Sequence, residues 1–282
     1  MRRPHSGWPW LVLQGVLAGS LLLLFVLPIY ALFTYGTLAQ IEAAARNFAV
    51  QEAIWFTLYA SGVAVLAAVV FAIPLGYLLA RHPFPGRSVV ESVVALPVVV
   101  PHLLVGLGLF LLVVPGSPLY HFTNEIGFPI YDTIWGVVLV MVFVSAPYTV
   151  LAADLSFRAI DPRVLEAARS LGAGPATAFL TVTLPLALRG IVAGLLLTWA
   201  RSVSEIGGIL VLAYTVYPGG IYNGPVTSTI SVLVWNIIQT GNLADAAAVS
   251  SVFLLIAFVL FLVVRVGERS GWVPWRRGDL LP

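Results

Sequence analysis

Two opposite charges, Arg201 and Glu205, lie four residues apart inside a long hydrophobic stretch of the sequence. In a helix this spacing places both side chains on one face. Charged groups within a membrane are costly, and they usually pair with each other or line the path of a transported substrate. Both interpretations fit here. One is a self-neutralising structural pair. The other is a pathway lined by Arg201, Ser204, Glu205 and Gly207, in which Arg201 offers a deeply placed positive charge.

A second set of candidate pathway residues lies where prolines interrupt another hydrophobic stretch. The run Leu-Pro-Val-Val-Val-Pro-His contains Pro97, Pro101 and His102. Each proline removes a backbone donor and can kink a helix, and in lipid the freed carbonyl must find another partner. We therefore expect a distorted helix here, near the cytoplasmic side. His102 fits a pathway role, and it also fits a hydrogen-bonded structural histidine beside Pro101.

Enzymatic chemistry has few suitable side chains in this sequence. Cysteine is absent, and all 14 basic residues are arginine. The absence of lysine excludes Schiff-base chemistry and the lysine of a P-loop ATPase. The four histidines show no metal-ligand spacing, and no run of like charge is typical of a nucleic-acid-binding arm. We predict no catalytic residue, no metal, no cofactor and no nucleic-acid partner.

The elements that carry the candidate residues are predicted to be membrane-spanning helices. The chain has 282 residues, of which 60% are hydrophobic and 9% are charged, whereas soluble domains are about 25% charged. Six hydrophobic runs reach the roughly 17–25 residues that a bilayer requires. They cover residues 11–33, 54–80, 89–114, 134–155, 186–212 and 244–266. We expect an all-α membrane protein formed by a single domain, residues 1–282.

The arginines predict the orientation of these helices, because cytoplasmic loops of membrane proteins are enriched in basic residues. Twelve arginines lie in or next to the two ends of the chain and the loops after the second and fourth runs. Arg46 is the single arginine of the other loops. Six spans also require both ends of the chain on one side. We expect a multi-pass protein of the cell membrane, surrounded by the lipid bilayer, with cytoplasmic N and C termini.

A short helix is predicted outside the bilayer, in the longest of the cytoplasmic loops. Asp161 is suited to cap the start of a helix, Pro162 to its first position, and Gly172 to the turn after its end. One face of this helix is apolar. It consists of Val164, Leu165, Ala168 and Leu171. Periodicity alone leaves two possible contacts for the helix, namely lipid headgroups or a protein partner.

The same loop resembles the EAA loop of type I binding-protein-dependent ABC importer permeases. The resemblance rests on Glu166-Ala167-Ala168, followed by Gly172 and Leu184-Pro185. It implies the type I permease fold, in which residues 158–185 form a coupling loop whose helix seats on an ATP-hydrolysing subunit. The residues assigned to this contact are Arg163, Glu166, Ala167, Ala168, Gly172 and Pro185. The resemblance also implies a homodimer with two ATP-binding cassette ATPase subunits inside the cell and a substrate-binding protein outside.

Three further segments are similar to molybdate and tungstate permeases within that family. They are residues 97–102, 143–147 and 199–208. This similarity implies import of tungstate or molybdate, with sulfate or another substrate of such permeases as the alternative and a secondary transporter as a further alternative. One segment departs from the family pattern. Residues 215–225 form a longer, glycine- and proline-rich outer loop than the resemblance implies.

Overall fold

The computed structural model describes residues 8–269 of the chain. The helices, in order, are α1 (Trp8–Tyr35), α2 (Leu38–Arg46), α3 (Phe48–Arg81), α4 (Arg87–Val99), α5 (His102–Val113), α6 (Pro118–Glu125), α7 (Ile134–Arg158), α8 (Pro162–Ser170), α9 (Pro175–Ala178), α10 (Leu184–Val203), α11 (Gly207–Leu212), α12 (Ile230–Gln239) and α13 (Leu243–Arg269). A π-helical turn, Phe179–Thr183, joins α9 to α10. Extended pairing among the described residues is limited to two isolated bridges, Val216 to Thr227 and Gly219 to Tyr222.

Five helical segments are long and apolar enough to cross a membrane. Four of them lie in α1, α3, α7 and α13. The fifth, Pro175–Val203, combines α9, the π-helical turn and α10. The helices α4 and α5 form a sixth crossing only if they are taken together, because a bend of 113° separates them. The all-helical membrane fold predicted from the sequence is confirmed.

The bend between α4 and α5 lies at Val100 and Pro101. The residue before a proline avoids the helical region, and Val100 adopts an extended conformation with φ −72° and ψ 133°. Its N–H still donates to the carbonyl of Leu96, at 3.0 Å, whereas Pro101 has no N–H to donate to the carbonyl of Pro97. The third hydrophobic run, residues 89–114, is therefore two helices rather than one distorted helix, and the bend lies where the prolines indicated.

The fifth hydrophobic run, residues 186–212, also differs from the single helix that was expected. α10 ends at Val203 and α11 begins at Gly207, and Ile206 between them lies outside helical geometry at φ −134°. The crossing also begins earlier than predicted, because the π-helical turn continues the helix back to Pro175. This helix therefore extends into the segment that the sequence assigned to a loop.

Residues 52–233 form one compact unit that contains every candidate site residue. α7 lies at its centre, with more than half of its 25 residues buried. Neighbouring helices approach α7 closely at glycines. A Cβ added to Gly76 of α3 would lie 2.7 Å from the Cβ of Ala153 in α7. Small residues of this kind are typical of helix contacts in lipid, where hydrophobic association between helices is weak.

The second unit consists of the described residues up to 51 and from 234 onward. A capping box between Thr37 and Gln40 fixes the start of α2. The side-chain amide of Gln40 donates to the carboxylate of Asp245 in α13, at 3.3 Å. Gly36 lies so close to α13 that an added Cβ would be 3.4 Å from the Cβ of Ala248. The start of α2 therefore lies against the start of α13.

Candidate functional site

α8 has the capped ends that its sequence predicts. The carboxylate of Asp161 accepts a hydrogen bond from the N–H of Arg163, at 2.9 Å. At the other end Gly172 has φ +87°, a left-handed conformation that glycine adopts without strain. Its N–H donates to the carbonyl of Arg169 at 2.9 Å, and the following N–H donates to Ala168 at 3.1 Å. These two hydrogen bonds are those of a Schellman motif, so α8 is a short helix with defined ends.

The predicted apolar face of α8 does not act as one surface. Leu165 is 8% exposed and packs among side chains of α7 and α10. Val164 and Leu171, in contrast, are 39% and 89% exposed. Leu165 is the buried side chain of this helix, and the other large apolar residues remain at the surface. α8 is thus attached to its own unit mainly through Leu165.

Most residues assigned to a partner contact lie at the surface of α8. Arg163, Glu166 and Ala167 are exposed, and Ala168 is half-buried. Pro185 differs from them, because it belongs to the first turn of α10, beyond the π-helical turn, and is half-buried. The structure therefore places Pro185 in the helix that follows the loop and not on α8 itself.

Glu205 occupies the break between α10 and α11 and is only 1% exposed. One carboxylate oxygen accepts a hydrogen bond from the guanidinium of Arg201, at 2.7 Å. The other accepts from the backbone N–H of Gly208 in α11, also at 2.7 Å. Arg201 also reaches the hydroxyl of Ser204, at 3.3 Å. The predicted charge pair is present. Glu205 has a second role, because its carboxylate is the hydrogen-bond acceptor for a backbone N–H in the first turn of α11.

The two broken crossings meet at their breaks. A Cβ added to Gly207 would lie 2.8 Å from the Cβ of His102, and one added to Gly106 would lie 2.6 Å from the Cα of Gly208. The start of α5, just after Pro101, therefore lies against the start of α11. The structure thus brings together candidate pathway residues that are about a hundred positions apart in sequence. Pro97 is buried within α4, one turn before the bend.

A buried hydroxyl network between α7 and α10 was not predicted from the sequence. Thr149 and Thr198 share a hydrogen bond of 2.7 Å, and Ser202 donates to the hydroxyl of Ser145 at 2.9 Å. All four residues are fully buried. Such interhelical hydrogen bonds stabilise helix pairs in lipid. The available signal was a pair of small hydroxyl residues at four-residue spacing in each of two hydrophobic runs.

The loop at residues 215–225 is held by specific contacts. The hydroxyl oxygen of Tyr222 lies 2.7 Å from both a carboxylate oxygen of Glu52 in α3 and the carbonyl oxygen of Pro225, and its single proton is donated to one of them at a time. Its ring packs edge-on against Phe56, with ring centroids 4.9 Å apart. Burial, followed by the hydrogen bond to Glu52, raises the pKa of Tyr222, so this hydroxyl remains a donor at neutral pH. The glycine- and proline-rich composition therefore encodes a fixed loop.

Asp132 anchors the other side of this loop. Its backbone adopts φ +52°, and its carbonyl accepts a hydrogen bond from the N–H of Tyr217, at 3.1 Å. Its own N–H donates to the carbonyl of Leu212 at the end of α11, at 3.3 Å. Burial raises the pKa of the Asp132 carboxyl, and hydrogen bonds from Tyr131 and from the backbone of Thr215 oppose that shift. Asp132 thereby connects α11 to the loop.

Comparison with known proteins identifies the family. Residues 72–269 match the binding-protein-dependent transport system inner membrane component family. A molybdate/tungstate transport system permease protein of Thermococcus kodakarensis is 36% identical over 221 residues, which are 78% of this chain and 80% of the relative. A probable molybdenum ABC transporter permease protein of Haloferax volcanii is 36% identical over 263 residues, 93% of this chain and 92% of the relative.

The fold also matches solved structures. A chain of a bacterial ABC transporter involved in the import of the acidic polysaccharide alginate aligns with a TM-score of 0.71 at 18% identity. The alignment covers 93% of this chain and 96% of the other. At that identity the match shows a shared fold, which confirms the type I ABC importer architecture that the EAA loop implied. The chain is an integral membrane protein and belongs to the family of binding-protein-dependent transport system inner membrane components.

Proposed function

We propose that this chain is the permease subunit of an ABC importer and that ATP hydrolysis in separate subunits drives it. The proposal rests on one observation, namely that α8 presents an exposed side. The chain's membership in this family gives that side its meaning. A helix lying on lipid would turn its apolar face toward the membrane. α8 instead buries Leu165 within the chain and leaves Arg163, Glu166 and Ala167 exposed. The same exposed side carries Val164 and Leu171, and a capped helix that presents charged, small and apolar side chains together suits close contact with a protein.

The proposed assembly contains two copies of the chain, two ATP-binding cassette ATPase subunits and an external substrate-binding protein. A separate ATPase is supported by the absence of lysine from the sequence, because a P-loop requires a lysine to reach the nucleotide phosphates. Within this assembly the exposed residues of α8 contact the ATPase, and Gly172 sets the turn that aims the helix toward it. Pro185 acts from α10, by supporting the start of the helix that carries the motion into the membrane.

We propose a tetrahedral oxyanion, tungstate or molybdate, as the imported substrate. Support comes from the relatives that carry those substrates in their names and from the junction of the two broken crossings. The N–H groups of His102 and Leu103 precede the first backbone hydrogen bond of α5, which Leu104 donates to Pro101, and they form the positive end of the helix dipole. The proposed pathway residues are Pro97, Pro101, His102, Arg201, Ser204, Glu205 and Gly207. Sulfate remains the alternative, because discrimination among such anions belongs mainly to the binding protein.

We propose that both termini and α8 face the cytoplasm. A cysteine in place of Arg163 is expected to react with a membrane-impermeant thiol reagent only after the cytoplasmic side is opened. Cysteines in place of Asn124 or Asn223 are expected to react from the outside, because both residues are exposed and lie in the other set of loops. The native chain lacks cysteine, so the unmodified protein is the control. External labelling at position 163 would overturn the orientation and the role of α8 together.

Disruption of α8 tests the proposal directly. Glu166→Arg is expected to displace the ATPase and to reduce substrate uptake at least about tenfold, because it reverses the charge that α8 offers to its partner. Gly172→Val is expected to do the same, because a β-branched residue with positive φ is strained by roughly 1–3 kcal/mol. The measurement is copurification of the ATPase with the permease, together with uptake in proteoliposomes.

Each of these variants has a matched control. Gly172→Asn should retain uptake, because asparagine tolerates the left-handed conformation better than valine does. Glu125→Arg makes the same charge reversal at an exposed position of α6, on the proposed outer side, and should retain the bound ATPase. Normal ATPase binding by Glu166→Arg and Gly172→Val would mean that α8 does not hold the ATPase.

A further inference from the structure

Three aromatic rings from three elements surround the point at which α8 is attached. Tyr77 comes from the end of α3, Phe157 from the end of α7, and Phe179 from the first position of the π-helical turn. The ring centroid of Tyr77 lies 5.2 Å from that of Phe157 and 4.8 Å from that of Phe179, both in edge-on geometry. We call these three residues the aromatic cluster. Leu165 of α8 packs in the same hydrophobic group.

Tyr77 contacts both flanks of α8. Phe157 precedes α8 in the chain, and Phe179 follows it, so the ring of Tyr77 joins the two segments that lead into and out of this helix. Arg81, one turn after Tyr77, adds a polar contact. Its guanidinium donates to the carbonyl of Ile160, at 2.9 Å, in the turn between α7 and α8. The end of α3 therefore contacts the α8 loop on both sides.

The segment that carries Phe179 is a π-helical turn. The carbonyl of Phe179 accepts the N–H of Leu184, five residues on. Such turns are rare and are found frequently at functional sites. Phe179 thus lies in an irregular turn that follows α8, while Tyr77 lies on α3, whose backbone packs tightly against α7 at Gly76.

We propose that Tyr77 is a positioning residue that transmits a displacement of α8 to α3. The proposal rests on the function proposed above, in which an ATPase moves α8. A force on α8 enters its unit at Leu165 and therefore reaches the aromatic cluster first. From there Tyr77 passes it to α3, a membrane-crossing helix. The exposed residues that would bind the ATPase, Glu166 and Ala167, lie outside the cluster, so removal of the Tyr77 ring should separate ATPase binding from transport.

The test uses the reconstituted complex of permease, ATPase and substrate-binding protein, with labelled tungstate as the probe. The variants are Tyr77→Ala, which removes the ring, and Tyr77→Phe, which keeps it. Leu78→Ala is the matched control, because Leu78 is the next residue of α3 and is 43% exposed. Three quantities are measured for each variant: the ATPase bound per permease, the rate of ATP hydrolysis, and tungstate uptake. Phe179→Leu, which keeps apolar volume but removes the ring contacts with Tyr77 and Phe157, gives a second variant if Tyr77→Ala does not fold.

Tyr77→Ala and Phe179→Leu should bind the ATPase as the wild type does. Uptake per ATP hydrolysed should fall about tenfold for Tyr77→Ala, which loses the ring contacts with both Phe157 and Phe179. It should fall less for Phe179→Leu, which keeps an apolar side chain at its position. Tyr77→Phe and Leu78→Ala should keep the wild-type ratio. An unchanged ratio in both ring-removing variants would overturn the role of Tyr77, and so would a loss of bound ATPase that accounts for the lost uptake. A wild-type protein that binds no ATPase would instead overturn the proposed function itself.

Discussion

Glu205→Ala is expected to destabilise the protein by about 3–5 kcal/mol, the range found when one partner of a buried ion pair is removed. The carboxylate is 1% exposed, and the substitution leaves the Arg201 guanidinium without its 2.7 Å partner. It also leaves the N–H of Gly208 without its acceptor. We expect a clear fall in the thermal unfolding temperature of the purified protein and loss of uptake. Glu205→Gln, which keeps an acceptor for Gly208, should lose less.

Exchange of the two charges separates the roles of this pair. In the double variant Arg201→Glu with Glu205→Arg, a guanidinium replaces the carboxylate that accepts the Gly208 N–H. A guanidinium has no acceptor atom. The Gly208 N–H therefore loses its hydrogen-bond acceptor, although the charges still balance. We expect the double variant to remain as unstable as Glu205→Ala. Recovery of wild-type stability and uptake would show that mutual neutralisation is the whole role of the pair.

Gly106→Ala is expected to prevent correct packing of α5 on α11. The added Cβ would lie 2.6 Å from both the Cα and the carbonyl oxygen of Gly208, and backbone atoms cannot move aside as the end of a flexible side chain can. Overpacking of this kind costs about 1–3 kcal/mol or more. We expect a lower unfolding temperature, a low yield of folded protein and little uptake.

Gly108→Ala is the matched control for this prediction. Gly108 lies two residues further along α5, and an added Cβ there has no neighbour within 4 Å. Alanine is favoured over glycine in a helix by up to about 1 kcal/mol, so this variant should be as stable as the wild type or slightly more so. Equal stability of Gly106→Ala and Gly108→Ala would show that the two breaks do not meet closely.

The sequence predicted those features that depend on local physics. The hydrophobic runs 11–33, 54–80, 134–155 and 244–266 each lie within one helix, and Asp161 and Gly172 are sufficient to predict the ends of α8. The bend at Pro101 was foreseen because proline removes a backbone donor wherever it lies. None of these features requires knowledge of which elements are neighbours in the fold.

Features that depend on tertiary contacts were missed or only partly predicted. No proline marks the break after Val203. It is stabilised by the Glu205 carboxylate and by the approach of α5, which a periodicity argument does not reveal. The sequence likewise predicted an apolar face on α8, but the burial of Leu165 and the exposure of Leu171 depend on where α7 and α10 lie. The contact between Gly106 and Gly208 joins positions that have no relation in sequence.

Uptake of labelled tungstate into proteoliposomes tests whether this chain imports an oxyanion with the help of a separate ATPase. The vesicles would contain this permease, a separate ATP-binding cassette ATPase and the cognate substrate-binding protein, and each component and ATP would be omitted in turn, with molybdate and sulfate compared at equal concentrations. We expect uptake of tungstate and molybdate that requires all three proteins and ATP hydrolysis. Uptake that continues without the ATPase and follows an ion gradient would show that the chain is a secondary transporter and not an ABC permease.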